Sequence, residues 1–145
     1  MNELETILVD LIEKQPIAYI SSIDEEGYPT GKAVFSPRLR EGLKCYYFST
    51  NLSTWRAQQY LRNNKASVYF CDQTQGVMLQ GKMEVLQDSE SRRKIWKDED
   101  VQYYEEGVDD SDYCVLKFTA IQGRHYFRFQ SMNFKVTSDG IQKIK

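Results

Sequence analysis

The sequence predicts a mainly β domain, an antiparallel sheet that is closed or nearly closed with three helices outside it. Short apolar runs rich in Val, Ile, Tyr and Phe recur along the chain, and most are joined by connections too short for a parallel crossover. Only three stretches show helical spacing. The 145 residues are 41% hydrophobic and 28% charged, which suits a single domain over 1–145. A chain of this length buries about 68–70% of its unfolded surface and needs no disulfide or structural metal.

Leu4, Ile7, Leu8, Leu11 and Ile12 recur at helical spacing, with Asn2 and Glu5 placed like a capping box and Pro16 as a stop. PIAYISSI and YPTGKAVFS then read as a hairpin around Asp24–Gly27. After a loop over Arg38–Gly42 comes the strand LKCYYFST, then a short helix from about Thr54 to Asn63, then the strand ASVYFCD. The next strand alternates Val77, Leu79, Met83 and Val85 with Gln80, Lys82 and Glu84, and its Gly81 marks a bulge or a close approach. Asp88 and Ser89 cap a third helix through Ile95 and Trp96, where Trp96 reads as core packing, and an acidic loop follows. The sequence predicts two further strands, YCVLKFTAI and RHYFRF, turning at Gln122-Gly123, with Phe134-Lys135-Val136 as an edge strand.

Charge and composition exclude several functions. The 19 basic and 21 acidic residues leave a net −2, which argues against nucleic acid or an anionic membrane as partner. No stretch reaches the length of a membrane span, and the acidic, amphipathic N-terminus is unlike a signal peptide, so the expected location is the cytoplasm. Cys45, Cys71 and Cys114 sit in separate apolar runs and read as reduced, buried thiols. His125 is the only histidine, which removes Ser-His-Asp, Cys-His and multi-histidine metal schemes; a structural or surface role suits it. Asp109, Asp110 and Asp112 lack the glycine and distal glutamate of a calcium loop and read as a solvated loop. No Rossmann or P-loop glycine motif is present.

One segment suggests chemistry. In FSTNLSTWR a strand ends in Ser49 and Thr50, and a helix starts around Ser53 or Thr54 with Arg56 in its first turn. Hydroxyls, free N–H groups and a forked cation at a helix N-terminus suit a phosphate, and Lys32 in the second strand supplies another cation. The same residues also fit a plain Ser/Thr cap beside two solvated cations.

The order and spacing of several motifs resemble the FMN-binding split-barrel superfamily named after pyridoxamine 5′-phosphate oxidase, in its general stress protein branch. The similarity runs from about Ile7 to Phe134 through DEEGYPTGKAV, FSTNLSTWR, VMLQGKMEVLQD, Ile95-Trp96 and YYEEGVDDSDYCVLKF. It implies a Greek-key split β-barrel, a homodimer with FMN at the interface, and an oxidoreductase acting on a small-molecule substrate or electron acceptor. It puts Lys32, Ser49, Thr50, Thr54 and Arg56 on phosphate positions and Ala33 and Val34 along the flavin edge, with Ser53 a further cofactor-binding candidate. Gln75 and Trp96 become candidates for ring contacts from the partner chain. The chemistry would then be the cofactor's, with no catalytic acid or base from the protein.

Lys32 stands where the family usually has arginine, so a forked contact becomes a point charge. Gly76 stands where the vitamin B6 oxidases carry glutamine, and the ending TSDGIQKIK lacks their arginine- and tryptophan-rich segment, so pyridoxamine phosphate oxidation is not expected. A flavin-binding or redox-sensing module without turnover, and a haem or deazaflavin binder, are the alternatives.

Overall fold

The structure, a computed structural model, describes residues 2–144. Helix α1 (Glu3–Lys14) starts where Asn2 Oδ1 accepts the Glu5 N–H at 2.8 Å, and it buries Leu4, Leu8, Leu11 and Ile12 of the expected stripe while Ile7 stays exposed. Strands β1 (Ile17–Ile23) and β2 (Pro29–Phe35) form the expected hairpin. Asp24 accepts the N–H groups of Glu26 and Tyr28 in its turn, and Gly27 takes φ 87°, a conformation that favours glycine. The segment read as a loop over Arg38–Gly42 contains a short strand, β3 (Leu39–Glu41), paired with β4 (Cys45–Asn51). Helix α2 (Trp55–Arg62), β5 (Lys65–Cys71), β6 (Gln75–Leu86) and α3 (Ser89–Ile95) follow as expected, α3 capped by Asp88. The acidic stretch holds two short 3-10 turns, Asp98–Gln102 and Gly107–Asp109.

The C-terminal third corrects the sequence reading. YCVLKFTAI and RHYFRF are one strand, β7 (Tyr113–Phe127), which runs straight through Gln122-Gly123. Gly123 makes room rather than a turn, because a Cβ there would lie 2.5 Å from the Phe134 ring and 2.6 Å from the Met78 carbonyl oxygen. The reversal comes instead at Arg128 and Phe129, both with positive φ, and leads into β8 (Gln130–Thr137) and β9 (Gly140–Ile144).

Every pairing is antiparallel, in the order β2-β1-β5-β6-β7-β4-β3. Strand β7 pairs with β6 along its length, and on its other edge with β4 through Tyr113–Thr119 and with β8 through Gln122–Phe127. Gln80 and Gly81 face Gln122 and Ala120, which leaves Ile121 as the extra residue of a bulge. A Cβ on Gly81 would stand 1.9 Å from the Thr119 carbonyl oxygen, so the close approach expected at this glycine is present.

The inner faces of β1, β4, β5, β6 and β7 meet in one core with α1 and Phe134, and Ala18, Val68, Phe70, Val77 and Phe118 are fully buried there. Each large apolar side chain so buried contributes about 1.5–3 kcal/mol. A second cluster joins Tyr47, Ile95, Tyr104, Tyr113 and Val115 outside β4 and β7. Trp96 packs on it edge-on to Tyr113, with ring centres 5.1 Å apart, in agreement with a packing role. The sheet therefore curls around a core as a split β-barrel, and among the described residues no backbone pairing joins β2 to β4. That gap is where the barrel is split.

Candidate functional site

A cavity of about 350 Å³ fills the gap between β2 and β4. Its apolar lining comes from Ile17 and Ile20 of β1, Phe48 of β4 and Leu116 of β7. Lys32, Ala33, Val34, Ser49, Thr50 and Arg56, the residues singled out from sequence, all lie in its wall. Strand register explains Lys32. It pairs with Ile20 as Val34 pairs with Ala18, so alternation puts its side chain on the face that elsewhere forms core. No strand covers that edge, and the lysine remains exposed at an inward-facing position.

The opposite wall is set by the junction of β4 and α2. Asn51 closes β4 by accepting from both the N–H and the hydroxyl of Thr54, and Thr54 Oγ1 in turn accepts the Ala57 N–H at 3.2 Å. Helix α2 therefore starts at Trp55, and Arg56 falls in its first turn, where backbone N–H groups lack intrahelical partners. Arg56 makes no hydrogen bond or ion pair with any described residue, and its Nε is buried without a partner. Lys32 has no side-chain partner among the described residues either. A buried donor left without an acceptor costs about 1–3 kcal/mol, so the wall holds an unmet demand for a hydrogen-bond acceptor.

Arg38, which sequence reading missed, also lines the cavity, but its charge is spoken for. Its Nη2 donates to Asp100 Oδ1 at 2.7 Å, and its Nη1 donates to Asp100 Oδ2 and to the Ile95 carbonyl. The Arg38 guanidinium holds the buried Asp100 carboxyl below the usual carboxylate range, and the Lys97 N–H adds to the effect. Nothing near Arg38 in sequence signals a partner 62 residues away. The wall contains no carboxylate, histidine or cysteine, which leaves Lys32 and Arg56 as its two uncompensated charges.

Three further expected site residues, Ser53, Thr54 and Gln75, do not line this cavity within the single chain. Ser53 gives both its N–H and its hydroxyl to Asp112, and Thr54 is committed to capping α2. Gln75, the first residue of β6, bonds through Oε1 to His125 Nε2 at 2.8 Å. Burial pushes the pKa of His125 below its ordinary value, and a structural role for it agrees with that contact. The acidic cluster is not uniformly solvated. Asp109 makes a surface ion pair with Arg93, whereas Asp112 is bonded into the β4–α2 junction.

The cavity opens beside the outer face of β2, β1 and β5. Phe35 belongs to its wall and is 84% exposed, and Tyr19 and Tyr69 stand half-exposed along the same face, opposite one another in register. Small residues, Gly31, Ala33, Ser21 and Ser67, separate these aromatics.

The fold is thus a split barrel with a cationic cleft at its open seam. The sequence model of the pyridoxamine 5′-phosphate oxidase family matches residues 4–127, and the chain belongs to that family. It is similar to a Clostridium acetobutylicum protein related to general stress protein 26 of B. subtilis, with 35% identity and TM-score 0.82 over 92% of this chain and 95% of that one. General stress protein 26 from Bacillus anthracis str. Sterne shares the fold at 14% identity and TM-score 0.72, covering 90% of this chain and 98% of its own. So does a pyridoxamine 5′-phosphate oxidase-related, FMN-binding protein from Nostoc punctiforme PCC 73102, at 11% identity and TM-score 0.77, covering 100% and 98%. No curated protein matches the chain. No helix among the described residues is long and apolar enough to cross a membrane.

Proposed function

We propose that the protein binds FMN in the β2–β4 cleft and works in the cytoplasm as an FMN-dependent oxidoreductase on a small molecule. The observation that carries this is the pair of uncompensated cations, Lys32 and Arg56, on an otherwise acid-free wall, with a buried Arg56 Nε that has no protein acceptor. A phosphate dianion meets both demands at once. Arg56 would hold it with a directional fork and Lys32 with a mobile point charge, and the Ser49 and Thr50 hydroxyls would donate to its oxygens. The apolar lining of Ile17, Ile20 and Phe48 suits the flat part of the same ligand. A bound flavin supplies hydride and electron transfer, and the chain's own part is to bind, orient and exclude water. An FMN-binding relative on the same fold supports this choice of ligand.

A homodimer fits the exposed aromatic face. Ala33 and Phe35 belong both to that face and to the cavity wall, so a second copy packed there would cover the mouth of the cleft.

Charge-assisted hydrogen bonds contribute about 1.5–3 kcal/mol, so Arg56→Ala should weaken FMN binding roughly tenfold to a hundredfold in a fluorescence titration. An unchanged dissociation constant would refute the site. The absence of an acid or base from the wall is equally compatible with a flavin binder that does not turn over. Reduction of the holoprotein by NADH or NADPH, followed by an electron acceptor, separates the two: rapid cycling supports the enzyme, and none at full flavin occupancy supports the passive binder.

A further inference from the structure

Thr50 and Arg56 are both in the cavity wall, and the turn between them carries no cavity residue. That turn is held by one acidic residue from outside the cavity. Asp112 Oδ1 accepts the Ser53 N–H at 2.8 Å, and Oδ2 accepts Ser53 Oγ at 3.0 Å and Asn51 Nδ2 at 2.9 Å. Its backbone carbonyl accepts the Leu52 N–H at 2.7 Å. The Tyr104 hydroxyl donates to Asn51 Oδ1, and the Asp112 N–H is itself held by Asp110 Oδ1, so the carboxylate has little freedom to move. Four donors from three consecutive residues thus converge on Asp112, which sits immediately before β7 and does not line the cleft.

We propose that Asp112 is a positioning residue for the anion site: by fixing residues 51–53 it sets where the Thr50 hydroxyl and the Arg56 guanidinium stand. This inference rests on the cleft binding a phosphate. It also makes a prediction opposite in sign to simple electrostatics. A carboxylate close to an anion site repels the ligand, so removing its charge should tighten binding if charge alone mattered. If Asp112 acts through geometry, removing it loosens the turn and weakens binding despite the lost repulsion. The Ser53 hydrogen bonds hold the Asp112 carboxyl below its ordinary pKa, which agrees with its acting as a charged acceptor at neutral pH.

The test compares FMN with riboflavin, which has the same ring and no phosphate, on wild type, Asp112→Ala, Asp112→Asn and Ser53→Ala. Partners that orient metal-binding side chains matter by about tenfold or more, and that is the scale expected of this turn. Asp112→Ala should raise the FMN dissociation constant by about tenfold and leave that of riboflavin within about twofold. Asp112→Asn, which keeps one acceptor oxygen, and Ser53→Ala, which keeps the backbone bond, should fall between it and wild type; they also carry the test if the alanine variant does not fold. FMN affinity that is unchanged or tighter in these variants overturns the proposal. Equal loss for both flavins overturns it as well, since that is general loosening. If wild type itself does not prefer FMN over riboflavin, the anion site fails first and the positioning role fails with it.

Discussion

Asp100 is the acidic group whose removal has the most readable consequence for the fold. Its side chain is 3% exposed, and the carboxylate takes two hydrogen bonds from Arg38 and one from the Lys97 N–H. Asp100→Asn keeps the shape but leaves the Arg38 guanidinium without its counter-charge. Breaking a buried ion pair from one side costs about 3–5 kcal/mol, and the 22% exposure of the Arg38 side chain favours the lower end, about 3 kcal/mol. For a chain of this size that is a fall in Tm of about 6–12 °C. The carboxyl has a native pKa below its unfolded value, so its contribution is complete above the unfolded pKa of about 3.9 and is lost as pH falls through the lower native value. The gap between wild type and variant should therefore be constant from about pH 5 to pH 8 and should close in acid. Calorimetry or circular-dichroism melts across that range measure it. A loss under about 1 kcal/mol at pH 7, or a gap that widens in acid, would refute the reasoning.

Gly81→Ala should destabilise by about 2–3 kcal/mol in urea unfolding, because its methyl would meet the Thr119 carbonyl oxygen, which is backbone and cannot swing aside. Gly31→Ala, with nothing within 4 Å of the new methyl, is the control and should change stability by less than about 0.5 kcal/mol. If the proposed homodimer uses this face, Phe35→Asp should lower the mass seen in light scattering from dimer to monomer, since the ring is exposed in the single chain; an unaltered mass would remove this face from the proposed interface.

Apart from the three-residue strand β3, the first two-thirds of the fold was legible because local signals agreed with the tertiary structure. Helix α1 has its cap, stripe and stop, the β1–β2 hairpin has an Asp and a Gly where the turn needs them, and β6 alternates. The reading failed where a local signal served a distant contact. Gly123 looked like a turn residue but is small for the sake of Phe134, and the actual reversal uses Arg128 and Phe129, which carry no turn signature. At the site, Lys32 and Arg56 were legible as cations in strand and cap contexts. What separated Ser49 and Thr50 from Ser53 and Thr54 was not, because it depends on whether Asp112 and the helix cap claim the hydroxyls first. Arg38 was invisible for a related reason, its partner lying far along the chain.

Strand β7 is the shared neighbour of β4, β6 and β8, and its consequences reach into how the chain is made. During synthesis β4 emerges early and must wait with open N–H and C=O groups until the residues from Tyr113 onward arrive, for the Cys45–Thr119 pairing spans about half the chain. Loop closure of that reach comes late and is slow, which places refolding of this molecule in about the millisecond-to-second range typical of non-local β topologies. A truncation before β7 would strand β4 and β6 as unpaired edges, the kind of surface on which aggregates start.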